Sequence, residues 1–228
     1  MNTQIEPATT TLRAKVFLVD DHPIVRQGLA QVLNQQEDLS VCGEAENVQN
    51  ALDEIARLGP DLAVVDLSLK GANGIELIKH LKLQHPKLAI MALSMHDESV
   101  YAERALRAGA RGYVMKQEST DHILDAMRRV LKGEIHVSER IGTRLLDQAL
   151  TRKKKPAASP ADLLSDRELE VLRLIGQGHG TRQISDMLKL NVKTIETYRA
   201  HLKRKLKLKS AMELNHYAFH WLSAETEG

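Results

Sequence analysis

The chain has 228 residues, 43% hydrophobic and 27% charged, an ordinary globular composition with room for one large domain or two smaller ones. A single cysteine excludes an intramolecular disulfide framework and makes a reducing cytosol the natural compartment. No apolar stretch approaches the roughly 18 residues of a membrane span, and the polar segment 1–11 lacks the charged-then-apolar layout of a signal peptide, so a cytoplasmic protein with no membrane partner is expected. The net charge of +2 hides an asymmetry. Residues 1–150 carry 17 Lys+Arg against 21 Asp+Glu, a net −4, whereas residues 151–228 carry 15 against 9, a net +6. The two parts should therefore have different partners.

In chain order, the apolar run Lys15–Val19 predicts a buried strand that stops at Asp20 and Asp21. Pro23 suits the first turn of a helix carrying Ile24, Val25, Leu29, Val32 and Leu33 on one face. Leu39–Ala45 reads as a second strand with Cys42 buried in it, and Val48–Leu58 as a helix stopped by Gly59-Pro60. A third strand, Leu62–Val65, stops at Asp66, and the loop Ser68–Asn73 leads through Gly74 into a helix over Ile75–Leu83. Leu88–Leu93 stops at Ser94 before a helix over Glu98–Ala108, and Gly112–Met115 stops at Lys116 before a helix over Thr120–Leu131. A further helix, Ser138–Leu150, leads into Thr151–Pro160, where four basic residues, Arg152–Lys155, are followed by prolines. Such a stretch buries no apolar face and disfavours helix, so it reads as a linker, with a nucleic-acid-contacting arm as the alternative.

Short Val/Ile/Leu runs alternating with helix-period segments predict parallel strands joined by crossover helices, an α/β doubly wound (βα)5 unit. In such sheets the ligand site lies at the carboxyl ends of the strands. Asp20, Asp21, Asp66, Ser94 and Lys116 should then share one edge. Like charges ~4 Å apart repel by about 4 kcal/mol at an effective dielectric near 20, which a hard divalent cation resolves. Mg²⁺ typically combines one or two carboxylates with phosphate and water, and Lys116 offers a point charge to the same phosphate oxygens. Asp66, ending the central strand, is best placed to act as nucleophile, and Ser94 to hydrogen-bond the resulting acyl phosphate. Taken singly, Ser94 is better read as a turn former and Lys116 as a solvated charge; four strand ends with mutually useful chemistry argue otherwise. His22, His96 and His136 have no metal-ligand spacing and are expected on the surface or in loops.

The C-terminal part shows no strand pattern. Ser165 and Glu168 form a capping box before Leu169, Val171, Leu172 and Ile175. A short helix, Thr181–Leu188, a turn at Leu190–Asn191 and a longer helix, Val192–Leu206, suggest a helix-turn-helix, followed by a helix over Ala211–Trp221. At 100° per residue the longer helix places Ile195, Leu202 and Leu206 on one face and Lys193, Glu196, Thr197, Ala200 and Arg204 opposite. Lys193, Arg199, Lys203, Arg204, Lys205, Lys207 and Lys209 concentrate positive charge there, the electrostatic footprint of phosphate binding.

These residues resemble a known family. Val19-Asp20-Asp21-His22-Pro23, Val64-Val65-Asp66-Leu67, Leu93-Ser94-Met95-His96-Asp97 and Ala108 through Lys116 look like the receiver domain of bacterial response regulators. Leu164 through Leu172, Val192 through Arg199 and Arg204-Lys205-Leu206 are similar to the LuxR-type helix-turn-helix, and the whole resembles a NarL/FixJ-type response regulator. The resemblance implies that Asp66 accepts a phosphoryl group from a phosphohistidine on a cognate sensor histidine kinase. It implies Mg²⁺ held by Asp21, Asp66 and the carbonyl of Ser68, with Asp20 helping through water. Ser94 and Tyr113 would be the switch pair, the hydroxyl moving to the phosphate and the ring turning inward. Glu196, Thr197 and Ala200 should face base edges of double-stranded DNA. Lys193, Thr194, Tyr198, Arg199 and Lys203 should touch phosphates, with Thr181 and Arg182 of the scaffold helix in the same DNA-binding set. Two departures stand out: Lys70 replaces a usual proline, and Gly180 replaces the usual Ser or Thr opening the scaffold helix.

The expected organisation is an N-terminal tail (1–13), a receiver (14–133), a helix and linker (134–160), a small all-α helix-turn-helix domain (161–223) and a short tail (224–228). The expected function is a phosphorylation-controlled transcriptional regulator binding DNA as a homodimer, not an enzyme. Two rivals use the same pocket. An aspartyl-phosphate phosphatase also employs strand-end carboxylates and Mg²⁺, but it usually needs a second aspartate two residues after the nucleophile, where this chain has Ser68. A phosphate-independent interaction module would keep the pocket only for structure.

Overall fold

The computed structural model describes residues 13–69, 72–95, 97–150 and 163–226. Lys70, His96 and the expected linker at 151–160 lie outside the described residues. Five strands, β1 (Ala14–Val19), β2 (Leu39–Ala45), β3 (Leu62–Asp66), β4 (Ala89–Ser94) and β5 (Gly112–Met115), form one parallel sheet in the order β2-β1-β3-β4-β5. The chain leaves β1 toward β2 on one side and adds β3, β4 and β5 on the other. The connections diverge between β1 and β3, and a crevice opens at the carboxyl ends of strands where that happens. Asp20, Asp21 and Asp66 sit at that point.

Alternation along each strand decides which helices cover which face. Val16, Leu18, Leu62, Val64, Met91, Leu93 and Val114 pack against α1 (Pro23–Asn34) and α5 (Thr120–Leu131). Their neighbours Phe17, Val19, Ala63, Val65, Ile90, Ala92 and Tyr113 pack against α2 (Val48–Leu58), α3 (Gly74–Gln84) and α4 (Glu98–Ala108). Side chains of Asn47, Asn73, Asp97 and Ser119 accept backbone N–H groups at the starts of α2, α3, α4 and α5, satisfying donors that a helix end otherwise leaves bare. One glycine is dictated by its neighbour: a Cβ on Gly74 would stand 2.2 Å from the Asp66 carbonyl oxygen. The first turn of α3 therefore lies directly against the backbone of the strand end.

Two sequence expectations shift here. Ile24 is 85% and Val25 37% exposed, while Ala30 and Leu33 enter the core, so the later turns of α1 supply its buried contacts. Cys42 lies on β2 as expected but is half-buried, because β2 is an edge strand, and partial burial pushes its thiol up. At the other edge the chain returns to β5: Tyr113 donates its N–H to the carbonyl of His136 (2.9 Å), and His136 donates to that of Arg111 (2.9 Å). Helix α6 (Glu139–Leu150) then packs on α4, where Ser138 donates to Glu98 (2.6 Å) and Arg144 meets Glu103 (3.3 Å).

The second region is a four-helix unit, α7 (Asp166–Gly176), α8 (Thr181–Leu188), α9 (Val192–Lys205) and α10 (Ala211–Thr226). The Ser165–Glu168 capping box forms. Leu169, Leu172, Ile175, Ile184, Leu188, Ile195, Leu202, Leu214 and Ala218 make its core. Gly180 opens α8 without a side-chain cap, but Gln183 reaches back to its N–H at 2.8 Å, replacing part of what a Ser or Thr would supply.

Candidate acidic pocket and nucleic-acid face

The strand ends converge as expected. Asp20, Asp21 and Asp66 are 6%, 7% and 1% exposed, and one oxygen from each, with Nδ1 of His22, falls within a 4.8 Å cluster. Lys116 donates to Asp66 Oδ2 at 2.8 Å and to Asp20 Oδ2 at 2.6 Å. The second oxygen of Asp66 accepts the N–H of Ser68 at 3.0 Å, an Asx turn that fixes the carboxylate's rotation. Burial pushes the Asp66 carboxyl up, and the Lys116 ammonium and the Ser68 N–H only partly offset it, so the net displacement is upward. Burial also pulls the Lys116 ammonium down, but Asp66 and Asp20 more than reverse that. Three carboxylates around one ammonium leave an excess of buried negative charge. The three carboxylates, with that excess, fit a hard divalent cation in the Mg²⁺ class.

Ser94 is fully buried and Tyr113 is 2% exposed, and their hydroxyls are hydrogen-bonded to one another. The ring of Tyr113 thus already points inward, and burial pushes its phenol far up. Sequence reasoning missed two neighbours. His22, placed on the surface from its lack of metal-ligand spacing, does have an exposed ring, yet its Nδ1 lies 2.8 Å from Asp21 and 3.2 Å from Asp20. Arg26 donates to the carbonyl of Asp20 at 2.6 Å and pairs with Glu44 at 2.9 Å. The adjacency of His22 to the aspartates was the available signal; Arg26, one helical turn on, gave none.

On α9, Ile195 and Leu202 are buried and Lys193, Glu196, Thr197, Ala200 and Arg204 are exposed, the two faces the 100° rotation predicts. Thr194, Tyr198 and Lys203 are half-buried along its flanks, and Arg182 is exposed on α8. Two basic residues are not where charge counting put them. Lys205 turns away from the face to bind the buried carboxylate of Glu168 at 2.6 Å; burial pushes that carboxyl up, but Lys205 and Ser165 together bring it below its ordinary value. Arg199 donates to Asn215 of α10 at 3.0 Å. It shares with Thr181 a cleft of about 320 Å³ between the α7–α8 turn and α10.

The two regions meet at the mouth of the acidic pocket. Asp166, at the start of α7, accepts Arg104 of α4 at 2.8 Å and Lys79 of α3 at 3.0 Å, and Arg104 also donates to the carbonyl of Leu164 at 3.0 Å. Asn73, the cap of α3, extends its amide to Glu170 at 3.5 Å, and Arg167 grips the same carboxylate at 2.8 Å. Burial pushes Glu170 upward against these partners. Asp21, His22, Ser68, Asn73 and Tyr101 face Glu170, Arg173, Met187 and Leu188 across a cleft of about 260 Å³.

Residues 16–128 match the model of the response regulator receiver domain, and residues 162–218 match that of the bacterial regulatory proteins of the luxR family. The oxygen regulatory protein NreC of Staphylococcus haemolyticus is 36% identical over 208 residues, covering 90% of this chain and 96% of that protein. Among solved structures, RcsB from Salmonella enterica serovar Typhimurium, bound to promoter P1flhDC in the presence of phosphomimetic BeF3⁻, is 29% identical with a TM-score of 0.62, covering 90% of this chain and 98% of that one. A LuxR-family two-component response regulator from Aurantimonas sp. is 32% identical with a TM-score of 0.56 over 60% of this chain.

Proposed function

The chain belongs to the NarL/FixJ-type two-component response regulators, and we propose that Asp66 is the residue through which its phosphorylation state is set. The protein is a phosphorylation-controlled, DNA-binding transcription regulator rather than an enzyme, and it draws its phosphoryl group from a sensor histidine kinase. The observation that carries the assignment of Asp66 is its placement: a nearly inaccessible carboxylate at the end of the central strand, 2.8 Å from Lys116 and beside Asp20 and Asp21. In the transfer, the phosphohistidine N–P bond breaks as an Asp66 Oδ–P bond forms, and the histidine nitrogen keeps the electron pair. Lys116 lies ready to meet the oxygens of the incoming group. Mg²⁺, held by Asp21, Asp66 and the carbonyl of Ser68 with Asp20 behind, would supply charge neutralisation for the transferring phosphoryl group. Ser94 reports the new phosphate by leaving its bond with Tyr113.

The receiver spans 14–133 and the DNA-binding domain 161–223, joined by the 134–160 segment. Glu196, Thr197 and Ala200 read bases, while Lys193, Thr194, Tyr198, Lys203, Thr181 and Arg182 position the backbone, with Arg199 reaching a phosphate across the Thr181 cleft. One such module buries limited surface, so a homodimer on two half-sites supplies the specific affinity. The compartment is the cytoplasm. In the resting state the clasp of Lys79 and Arg104 on Asp166 holds α7 at the pocket mouth. Exposure of Glu196, Thr197 and Ala200 argues that restraint acts on domain orientation, not by covering the recognition face.

The test is full-length protein incubated with acetyl phosphate and Mg²⁺, followed by promoter binding. Stoichiometric, acid-labile label on wild type, none on Asp66→Asn, and tighter DNA binding after labelling are expected. Turnover of phosphate without accumulation would instead favour a phosphatase, and absence of label an interaction module.

A further inference from the structure

We propose that His216 and His220 on α10 form a bidentate site for a borderline divalent transition metal of the Cu²⁺ and Ni²⁺ class, separate from the acidic pocket. The two residues are four apart on one helix, a spacing that stacks side chains on one face. Both are exposed. Their Nε2 atoms stand 3.0 Å apart, with ring centroids at 4.3 Å and planes inclined at 63°. Imidazole nitrogens bind such ions at roughly 2.1 Å; two nitrogens 3.0 Å apart then subtend about 90° at the metal. That is the angle between adjacent ligands of a tetragonal or octahedral ion. A tetrahedral Zn²⁺ site would need the nitrogens to spread to about 3.4 Å. Geometry and the general affinity order of nitrogen sites thus agree in ranking Cu²⁺ first.

The rings have little other reason to converge. A hydrogen bond between two exposed imidazoles gains little over the bonds each makes to water. A shared metal replaces the proton between them and uses both lone pairs at once. Phe219 lies edge-on to His220 with centroids 5.7 Å apart and limits that ring's freedom. Glu213 precedes His216 by three residues on the same face, but its carboxylate accepts the N–H of Lys209 at 2.7 Å. Among the described residues, the one group of three or more candidate ligands is the acidic cluster of Asp20, Asp21, His22 and Asp66. The α10 ion therefore has two protein ligands and completes its sphere with water. It differs from the pocket in donor chemistry, two imidazole nitrogens against three carboxylates and a single imidazole, and Mg²⁺ does not compete for it.

The experiment uses the full chain in millimolar Mg²⁺, which fills the acidic pocket. One equivalent of Cu²⁺ is added for electron paramagnetic resonance, and Ni²⁺ is titrated calorimetrically. The expected spectrum shows two equatorial imidazole nitrogens. His216→Ala and His220→Ala should each reduce the nitrogens to one and weaken Ni²⁺ binding roughly tenfold or more, the loss of the second ligand's effective concentration. The double variant should abolish the site with helix content and melting temperature unchanged, since both positions are exposed. Undiminished binding by the double variant overturns the proposal. So does loss of binding in His22→Ala alone, which would place the ion in the acidic pocket.

Discussion

Lys116 and Lys193 are both proposed to meet phosphate oxygens, from opposite environments. The Lys116 side chain is 6% exposed and locked between two carboxylates at 2.6 and 2.8 Å; Lys193 stands exposed on α9. A single phosphoryl group is small and brings no scaffold, so the protein must fix every donor before it arrives. DNA brings its own regular array of charges, and exposed cations need only find it. The pocket thus suits fixed geometry, with burial as its cost, whereas the exposed α9 face suits reach and long-range attraction.

Removing the acceptor is the strongest way to break this contrast. Asp66→Asn should abolish labelling and, in Mg²⁺-free buffer, raise the melting temperature near neutral pH. The sign follows from the raised carboxyl of Asp66: a group raised in the folded state contributes stability below its unfolded value and loses it as pH rises through the folded one. The advantage of the variant should thus grow with pH above the ordinary carboxylate range and shrink on adding Mg²⁺. An equal melting temperature at all pH values would refute the claim of uncompensated negative charge.

Next in size, Lys116→Ala leaves three buried carboxylates without their ammonium and should destabilise the protein by about 3 kcal/mol near neutral pH, with the loss diminishing in acid. Once labelled, it should also activate DNA binding less than wild type. Full output from the labelled variant would remove Lys116 from the reporting role.

A smaller effect is expected at the clasp. Asp166→Ala removes the carboxylate that Lys79 and Arg104 share, worth about 1 kcal/mol for partly exposed pairs, so unphosphorylated protein should bind DNA about fivefold tighter. Unchanged affinity would show that the contact does not restrain output. The subtlest test lies on α9: Lys203→Ala should reduce the slope of log affinity against log salt by about one. Glu196→Ala should leave the slope alone and change the preferred sequence. Identical sequence preference would take Glu196 out of the base-reading set.

The strand ends were legible because Val, Ile and Leu runs break at polar residues, and the sheet forces those breaks onto one edge. The α9 faces were legible because helical period reports orientation. Period does not report how deeply each turn of a helix is buried, so Ile24 and Val25 were placed in the core although they are exposed. Charge counting failed locally for a related reason. The −4 and +6 halves suggest an acidic receiver attracting a basic partner, yet the clasp pairs receiver cations, Lys79 and Arg104, with Asp166 of α7. Nothing in the sequence links Asp166 to residues 87 and 62 positions earlier, or Lys205 to Glu168 across 37; only packing does.

Partners at both rims of the sheet bear on how two copies can associate. Beside β5, His136 takes up the N–H of Tyr113 and gives its own to Arg111, and on β2 the side chain of Asn34 takes the N–H of Val41 at 2.9 Å. Each bond occupies a backbone group that could otherwise template a neighbour's strand, which discourages edge-to-edge polymerisation at those positions. The homodimer proposed above would then pair through helical surfaces, where contacts are made of side chains and come apart again.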